Sequence, residues 1–275
     1  MTETVSLKEA AEQLDVHYMT AYRYVRNGRL AAHKAGAEWR VRAADLEQLV
    51  RGDLAEPAPR VRRASHRTGL ESRLLAGDEP GAWGIVEAAM ASGAEPSEVL
   101  IDLVAPAMVS IGERWAAGEL TIADEHQASA VAQRIVARVG PRFARRGRKR
   151  GHIVVGAAPL DRHSLPSAIV ADLLRGSGFA VTDLGADTPT ESFVESALAA
   201  ERLMAVAISV TSAEGLSTVA TTVASIRSTV GPDVAIIVGG GAITNEDHAV
   251  ALGSDGFAPD GRTLINLIDG WIATR

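Results

Sequence analysis

From residue 151 onward, five short apolar runs alternate with amphipathic stretches of helical length, and this alternation constrains the fold more than any other feature. The runs are His152–Ala157, Ala180–Leu184, Ala205–Val210, Val234–Val238 and the short Gly256–Ala258. They are apolar and rich in β-branched residues, as strands covered on both faces must be. The stretches Ser164–Arg175, Thr190–Ala200, Gly215–Thr229, Asn245–Leu252 and Arg262–Trp271 read as helices. Five β–α units predict a doubly wound, parallel five-stranded sheet with right-handed crossovers. Ligands of such sheets sit beyond the C-terminal ends of the strands, so the loops that follow the strands are where chemistry is expected.

The first half of the chain is different. Residues 68–146 carry Ala, Leu, Val, Ile and Met at spacings of three and four, with breaks at Gly77–Gly81, Gly93–Pro96 and Gly118–Leu120. That pattern predicts four helices and hence a bundle, with Pro106 kinking the third helix or marking its middle. Residues 5–50 read as a small helical unit. Ser6 and Glu9 fit a capping box, Asp15-Val16-His17 a turn, and Tyr18–Arg26 a second helix stopped by Asn27-Gly28. Two β-like pieces follow, Leu30–His33 and Glu38–Val41, with a turn at Ala35-Gly36, and Asp45 opens a last short helix. Residues 52–67 contain two prolines and four arginines and read as a linker. The segment Arg142–Arg150 reads as a basic spacer.

At 275 residues the chain is long enough for two or three compact units. Its net charge is −6, yet residues 1–67 carry 12 Lys and Arg against 9 Asp and Glu, which fits a DNA-binding head on an acidic body. With no cysteine, disulfides, thiolate metal sites and a cysteine nucleophile are excluded. The charged, amphipathic N-terminal stretch has no signal-like apolar region and the chain no run long enough to span a bilayer, so a cytoplasmic protein without membrane partners is expected.

The loop after the first strand, Ala158 to Pro166, places His163 two residues after Asp161. A carboxylate on one ring nitrogen fixes the tautomer and raises the basicity of the other, the usual support of a metal-bound histidine. Taken alone, the loop reads first as an exposed histidine beside a helix-capping Ser164. The third strand ends in Ser209-Val210-Thr211-Ser212, a hydroxyl cluster, and the fourth in Gly239-Gly240-Gly241, where missing side chains let a large ligand approach. No Ser-His-Asp arrangement or phosphate loop is present, so neither hydrolysis nor phosphoryl transfer is expected.

Together, Asp161-x-His163, Ser209-x-Thr211, Gly239-Gly240 and Ser254-Asp255-Gly256 resemble the cobalamin-binding domains of methionine synthase, corrinoid methyl-transfer proteins and base-off mutases. The resemblance covers residues 151–275 and implies a flavodoxin-like fold. It implies His163 as the lower axial cobalt ligand, Asp161 as its partner, and Ser209, Thr211, Gly239 and Gly240 as the lining of a slot for the nucleotide tail, with Ser164 and Gly241 adjacent. Pro166 stands where the family motif has glycine. In the helical block, Trp115 followed after nine residues by Glu125-His126 resembles the cap of CarH/LitR-type light-dependent regulators. That resemblance implies that Trp115 and Glu125 surround an upper adenosyl group, with Ile122 and His126 nearby. Ala116 stands where those regulators have a histidine, so a light state held by two histidines is not expected. Residues 5–50 resemble the winged-helix units of excisionase and MerR-like proteins, which implies DNA contacts by Tyr18, Thr20, Arg23 and Tyr24 on the second helix and by Lys34 and Arg40 on the wing.

The expected organisation is therefore a winged helix-turn-helix head (1–51), a linker (52–67), a four-helix bundle cap (68–146) and a Rossmann-like cobalamin domain (147–275). The function these resemblances imply is a non-enzymatic, light-responsive transcriptional regulator that binds adenosylcobalamin and double-stranded DNA as a homodimer or homotetramer. A corrinoid methyl carrier, the enzyme-subunit alternative, shares the bundle and the α/β domain but not the head. A third alternative is a photosensor with a second, open-chain tetrapyrrole in space left by Ala116-Ala117-Gly118.

Overall fold

The structure, a computed structural model, describes residues 4–14, 16, 18–26, 30, 32–35, 38–46 and 59–274. In the head, helices α1 (Leu7–Gln13) and α2 (Tyr18–Arg26) pack with strands β1 (Thr4–Ser6), β2 (Ala32–Ala35) and β3 (Glu38–Arg42). Leu7, Ala10, Ala11, Ala21, Leu30, Val41 and Leu46 form the buried core. The capping box is formed: the Glu9 N–H donates to the Ser6 hydroxyl at 3.2 Å and the Ser6 N–H to the Glu9 carboxylate at 2.7 Å. The sheet has the order β1-β3-β2 and is antiparallel. Strand β1 is too short to carry a periodicity of its own; its hydrogen bonds come from β3, which only the tertiary fold supplies. Strand β2 begins two residues later than the pattern predicts, because Leu30 turns into the core. The last helix starts at residue 43, ahead of Asp45, whose carboxylate accepts from Arg42 Nε at 2.8 Å. The turns expected at Asp15–His17, Asn27-Gly28 and Ala35-Gly36 lie wholly or partly outside the described residues.

The bundle consists of α3 (Pro59–Leu75), α4 (Glu79–Ala91), α5 (Ala105–Ala116) and α6 (Ile122–Val139). Helix α3 begins inside the stretch read as linker; Pro59 suits a first helical turn, where its missing N–H is not needed. Asp78 caps α4 by accepting from the Gly81 N–H at 2.9 Å, and Thr121 with Asp124 forms a capping box on α6. Helix α5 is preceded without a break by a short turn, Pro96–Glu98, and a π-helical segment, Val99–Val104. Pro106 explains that segment: it cannot donate to the carbonyl four residues back, and the Ala105 N–H bonds to the Leu100 carbonyl, five residues back. The expected irregularity at Pro106 is thus a widened turn just upstream of it.

Strands β4 (His152–Ala157), β5 (Ala180–Asp183), β6 (Leu203–Ser209), β7 (Ala235–Gly239) and β8 (Gly256–Ala258) form a parallel sheet of order β5-β4-β6-β7-β8. This is the doubly wound sheet that the alternation predicted, in the flavodoxin-like form that the resemblance implied. Helices α8 (Thr190–Ala199), α9 (Ala213–Val230) and α10 (Glu246–Ala251) cover one face through Phe193, Val219, Val223, Ile226 and Ala249. Helices α7 (Ser164–Gly176) and α11 (Gly261–Ala273) cover the other through Ala171, Leu174, Leu264 and Ile268. Helix α7 is buried on two sides: Ile169 and Leu173 belong to the bundle's core. Arg262, at the start of α11, adds a bidentate pair with Asp102 in the π-helical segment, both contacts at 2.9 Å. The bundle therefore sits against the α7 side of the sheet.

Candidate functional site

The strand order reverses between β4 and β6, and there the loop after β4 meets the loop after β6. Crevices at such points receive ligands. Asp161 closes this one. Its side chain is fully buried; one oxygen accepts from the His163 N–H at 3.1 Å and from His163 Nδ1 at 2.6 Å. The other oxygen accepts from the backbone N–H groups of Thr211 and, at 3.2 Å, Ser212, at the N-terminus of the 18-residue helix α9. A helix start offers such free N–H groups to an anion. Burial alone would raise the Asp161 carboxyl, but the hydrogen bonds from His163, Thr211 and Ser212 outweigh it and hold it below the usual carboxylate range. Gly215 makes the approach possible: a Cβ there would lie 2.7 Å from the Asp161 Cβ.

With Nδ1 held by Asp161, Nε2 is the ring nitrogen left to face outward, and the side chain is half-exposed. The Asp161 hydrogen bond raises the imidazole above the ordinary histidine range; burial opposes it, and the charges of Asp161, Glu125 and Glu214 reinforce it. The backbone around the pair is strained. Leu160 and Asp187 both adopt positive φ (67° and 46°), the Leu160 N–H donates to the Asp187 carboxylate at 2.7 Å, and the Asp187 N–H to the Asp161 carbonyl at 2.7 Å. Strain of this kind persists where neighbours over-determine it, commonly at ligand sites.

Ser164 has a different place from the one its sequence suggested. The residue capping α7 is His163, and Ser164 is the first helical residue. Because the Asp161 pair already fixes His163 at the cap, the Ser164 hydroxyl is released to accept from Gln133 Nε2 of α6 at 3.2 Å. Glu125, Ser129 and Gln133 recur every fourth residue along α6 and form a polar stripe; the Ser129 hydroxyl donates to Glu125 at 2.6 Å. Their spacing was readable, but not which neighbour the stripe faces. His126 is largely exposed, 3.7 Å from the Glu125 carboxylate. Trp115 and Ile122, at the facing ends of α5 and α6, are exposed despite their size. Gly118 ends α5 at φ 76°, a reason for its small size that belongs to the fold.

At the end of β6 the hydroxyls of Ser209 and Thr211 are buried and, among the described residues, without a hydrogen-bond partner. Leaving such groups unpaired costs about 1–3 kcal/mol each, which a polar ligand entering the crevice would recover. The three glycines after β7 differ among themselves. A Cβ on Gly239 would lie 2.1 Å from the Ala258 carbonyl oxygen, and one on Gly240 (φ 103°) 2.4 Å from that of Val210; Gly241 faces open space. Close backbone packing thus already requires Gly239 and Gly240, and Gly241 alone opens outward.

Residues 67–139 and 151–265 each match a family model described as B12 binding domain, and residues 4–53 one described as helix-turn-helix domain. This is a cobalamin-binding protein with a helix-turn-helix domain. Over 123 residues, 44% of this cobalamin-binding chain, it is 32% identical to trimethylamine corrinoid protein 1 of Methanosarcina acetivorans, covering 57% of that protein. It is also 30% identical over 155 residues, 56% of the chain, to the HTH-type transcriptional repressor CarH of Myxococcus xanthus, covering 50% of it. The chain thus spans about half the length of these relatives. Among solved structures, the Methanosarcina barkeri monomethylamine corrinoid protein shares the fold, with a TM-score of 0.64 at 16% identity over 73% of this chain and 95% of that one.

In the head of this cobalamin-binding protein, Tyr18, Thr20, Arg23 and Tyr24 all lie on α2, with Tyr18 exposed and Thr20 half-buried; Lys34 lies on β2. Arg40 lies on the central strand β3, in register with Ser6 and His33, and its charge helps hold the Glu9 carboxyl low after the larger effect of the Ser6 hydrogen bonds. Among the described residues, no helix is long and apolar enough to cross a membrane.

Proposed function

We propose that this protein is a cobalamin-dependent transcriptional regulator in which His163 is the lower axial ligand and adenosylcobalamin the light-absorbing form. The observation that carries the reading is the half-exposed His163 held by the buried Asp161 at the switch point, with Nε2 left to face outward. Among the described residues no group of three or more acidic or histidine side chains could hold a metal unaided. A single histidine suits a metal that arrives inside a macrocycle with its equatorial ligands already in place. Bound there, adenosylcobalamin supplies a cobalt–carbon bond that light can break.

The chain's own residues do the rest. Asp161 keeps the Nδ1 proton and so leaves the Nε2 lone pair free. Ser209 and Thr211 offer unpaired hydroxyls to a polar tail. Trp115, Ile122 and Glu125 line the cap side, where they would sense the bulk of an upper group. Gln133 joins that cap to the ligand loop through Ser164. A change in what the cap encloses then has a path to domain arrangement, to homo-oligomer assembly and to DNA affinity, provided the two states differ in free energy. CarH carries a repressor's name and aligns in sequence over 155 residues of this chain, against 123 for trimethylamine corrinoid protein 1, and the head favours regulation over a methyl-carrier role.

The test uses the full chain loaded with adenosylcobalamin in the dark. Absorption spectra and duplex binding are recorded before and after illumination and for the cofactor-free protein. Illumination should change both spectrum and DNA affinity. No salt-sensitive DNA binding in any state would remove the regulator reading, and a spectrum indifferent to light would remove the photosensor reading.

A further inference from the structure

The segment between bundle and sheet is more ordered than a spacer. Arg145, Arg146, Arg148, Lys149 and Arg150 line one cavity of about 210 Å³ together with Ser177 and Gly178. Its backbone is tied down. The Lys149 ammonium donates to the Arg145 carbonyl at 2.6 Å, Gly147 turns the chain at φ 98°, and Arg202 donates to the carbonyls of Lys149 and Arg150 at 3.4 and 3.1 Å. Arg150 is committed to Asp269 at 2.6 Å and lies 4.4 Å over the Phe179 ring. Arg145, Arg146 and Arg148 remain: exposed, and among the described residues without a hydrogen-bond or ion-pair partner for their side chains. Three unpaired guanidiniums on a fixed backbone, in a chain of net charge −6, are an anion-binding surface.

We propose that Arg145, Arg146 and Arg148 form a second DNA contact that grips the phosphate backbone beside the site held by the head. This rests on the regulator reading above. DNA is favoured because the same chain carries a helix-turn-helix domain, and because guanidinium forks match phosphate oxygens pairwise. The surface does not compete with the cofactor. It precedes the first residue of β4 whereas His163 follows the last, and a six-residue strand spans about 20 Å. It also lies where the chain passes from bundle to sheet, so a rearrangement between those units would move the three arginines relative to the duplex. Phosphate contacts of this kind add affinity without reading sequence.

The experiment measures binding of the full chain to a duplex of several helical turns as a function of salt, for the wild type, Arg40→Ala in the head and the triple variant Arg145→Gln, Arg146→Gln, Arg148→Gln. Each phosphate contact contributes roughly 0.9 to the slope of log affinity against log salt. The triple variant should therefore flatten the slope by up to about three units for any sequence, with the thermal midpoint and cobalamin affinity unchanged. If the triple variant is unstable, the three single variants replace it, each lowering the slope by up to about one unit. An unaltered slope in the arginine variants alongside a flattened one in Arg40→Ala overturns the second contact and leaves the regulator reading standing. No duplex binding by the wild type overturns both. Polyglutamate serves as the rival probe: loss of its binding in the triple variant with DNA binding intact assigns the surface to an acidic protein instead and overturns the proposal.

Discussion

The two sides of the proposed cobalamin site are finished to different degrees. On the sheet side, Asp161 has no exposed surface, accepts four hydrogen bonds, and holds His163 in one orientation before any ligand arrives. On the cap side, Trp115 is 44% exposed and Ile122 58% exposed, though both are large and apolar. A buried carboxylate must be fully paired or it costs more than folding can spare, so the sheet side is rigid by necessity. An exposed tryptophan contributes little to folding, so the cap side is free to adapt to what it covers. Rigid below and adaptable above is the division that the proposed sensing of an upper ligand requires.

The largest expected effect breaks the rigid side. His163→Ala should weaken cobalamin binding by more than about 100-fold, beyond the usual cost of losing a supporting partner, and abolish the spectrum of histidine-ligated cobalt. A mutant with wild-type affinity and spectrum would mean that the pair serves the fold alone.

Next comes Asp161→Asn. With its oxygen on the Thr211 and Ser212 N–H groups, the new amide NH₂ would face both the His163 N–H and Nδ1. The imidazole would accept at Nδ1 and carry its proton on Nε2, away from any useful ligation. Cobalamin affinity should drop about 10–100-fold, and the cofactor-free protein should lose about 1–3 kcal/mol in denaturant unfolding. If stability falls but affinity does not, Asp161 is a structural residue only.

The cap side should behave in the opposite way. Trp115→Ala and Ile122→Ala should change the stability of the cofactor-free protein by no more than about 0.5 kcal/mol. They should weaken adenosylcobalamin by about 1–3 kcal/mol, the value of burying a large apolar side chain, and barely affect hydroxocobalamin. A large fall in the cofactor-free thermal midpoint would show that these residues are packed core, and the contrast between the two sides would fail.

The smallest effect lies at the N-terminal end of strand β4, opposite the site. Burial lowers the pKa of His152 below its ordinary 6.5, and its Nε2 lies 2.8 Å from the Thr182 hydroxyl. The folded protein binds this proton less readily than the unfolded chain, so stability is full above the unfolded pKa and falls as pH drops toward the folded one. His152→Gln should reduce the loss of thermal midpoint between about pH 7.5 and about pH 5.5. An identical pH profile in the mutant would locate the acid sensitivity elsewhere.

Much of this was legible in the sequence. The strands at His152–Ala157 and Gly256–Ala258 match the apolar runs residue for residue, and the others differ by one or two residues at their ends. The buried strands β4, β6 and β7 are nearly all apolar, and so mark themselves. The pair Asp161 and His163 was visible from its spacing and from its place after the first strand. Other features were hidden. The identity of Asp161's second set of donors depends on β6 lying beside β4, fifty residues apart in the chain. The role of Gly215 and the link from Gln133 to Ser164 share that cause. Gly239 and Gly240 read as ligand clearance, yet the atoms they make room for belong to Ala258 and Val210.

The sequence by itself determined the elements, their order and the chemistry available at the strand ends, because local periodicity and capping act over a few residues. Only the tertiary structure decided which loops meet at the switch point, that Asp161 is buried against a helix N-terminus, and that three arginines of the joining segment keep side chains unpaired among the described residues. Those outcomes depend on contacts between residues distant in the chain, where burial and hydrogen-bond satisfaction choose among partners that spacing alone leaves equivalent.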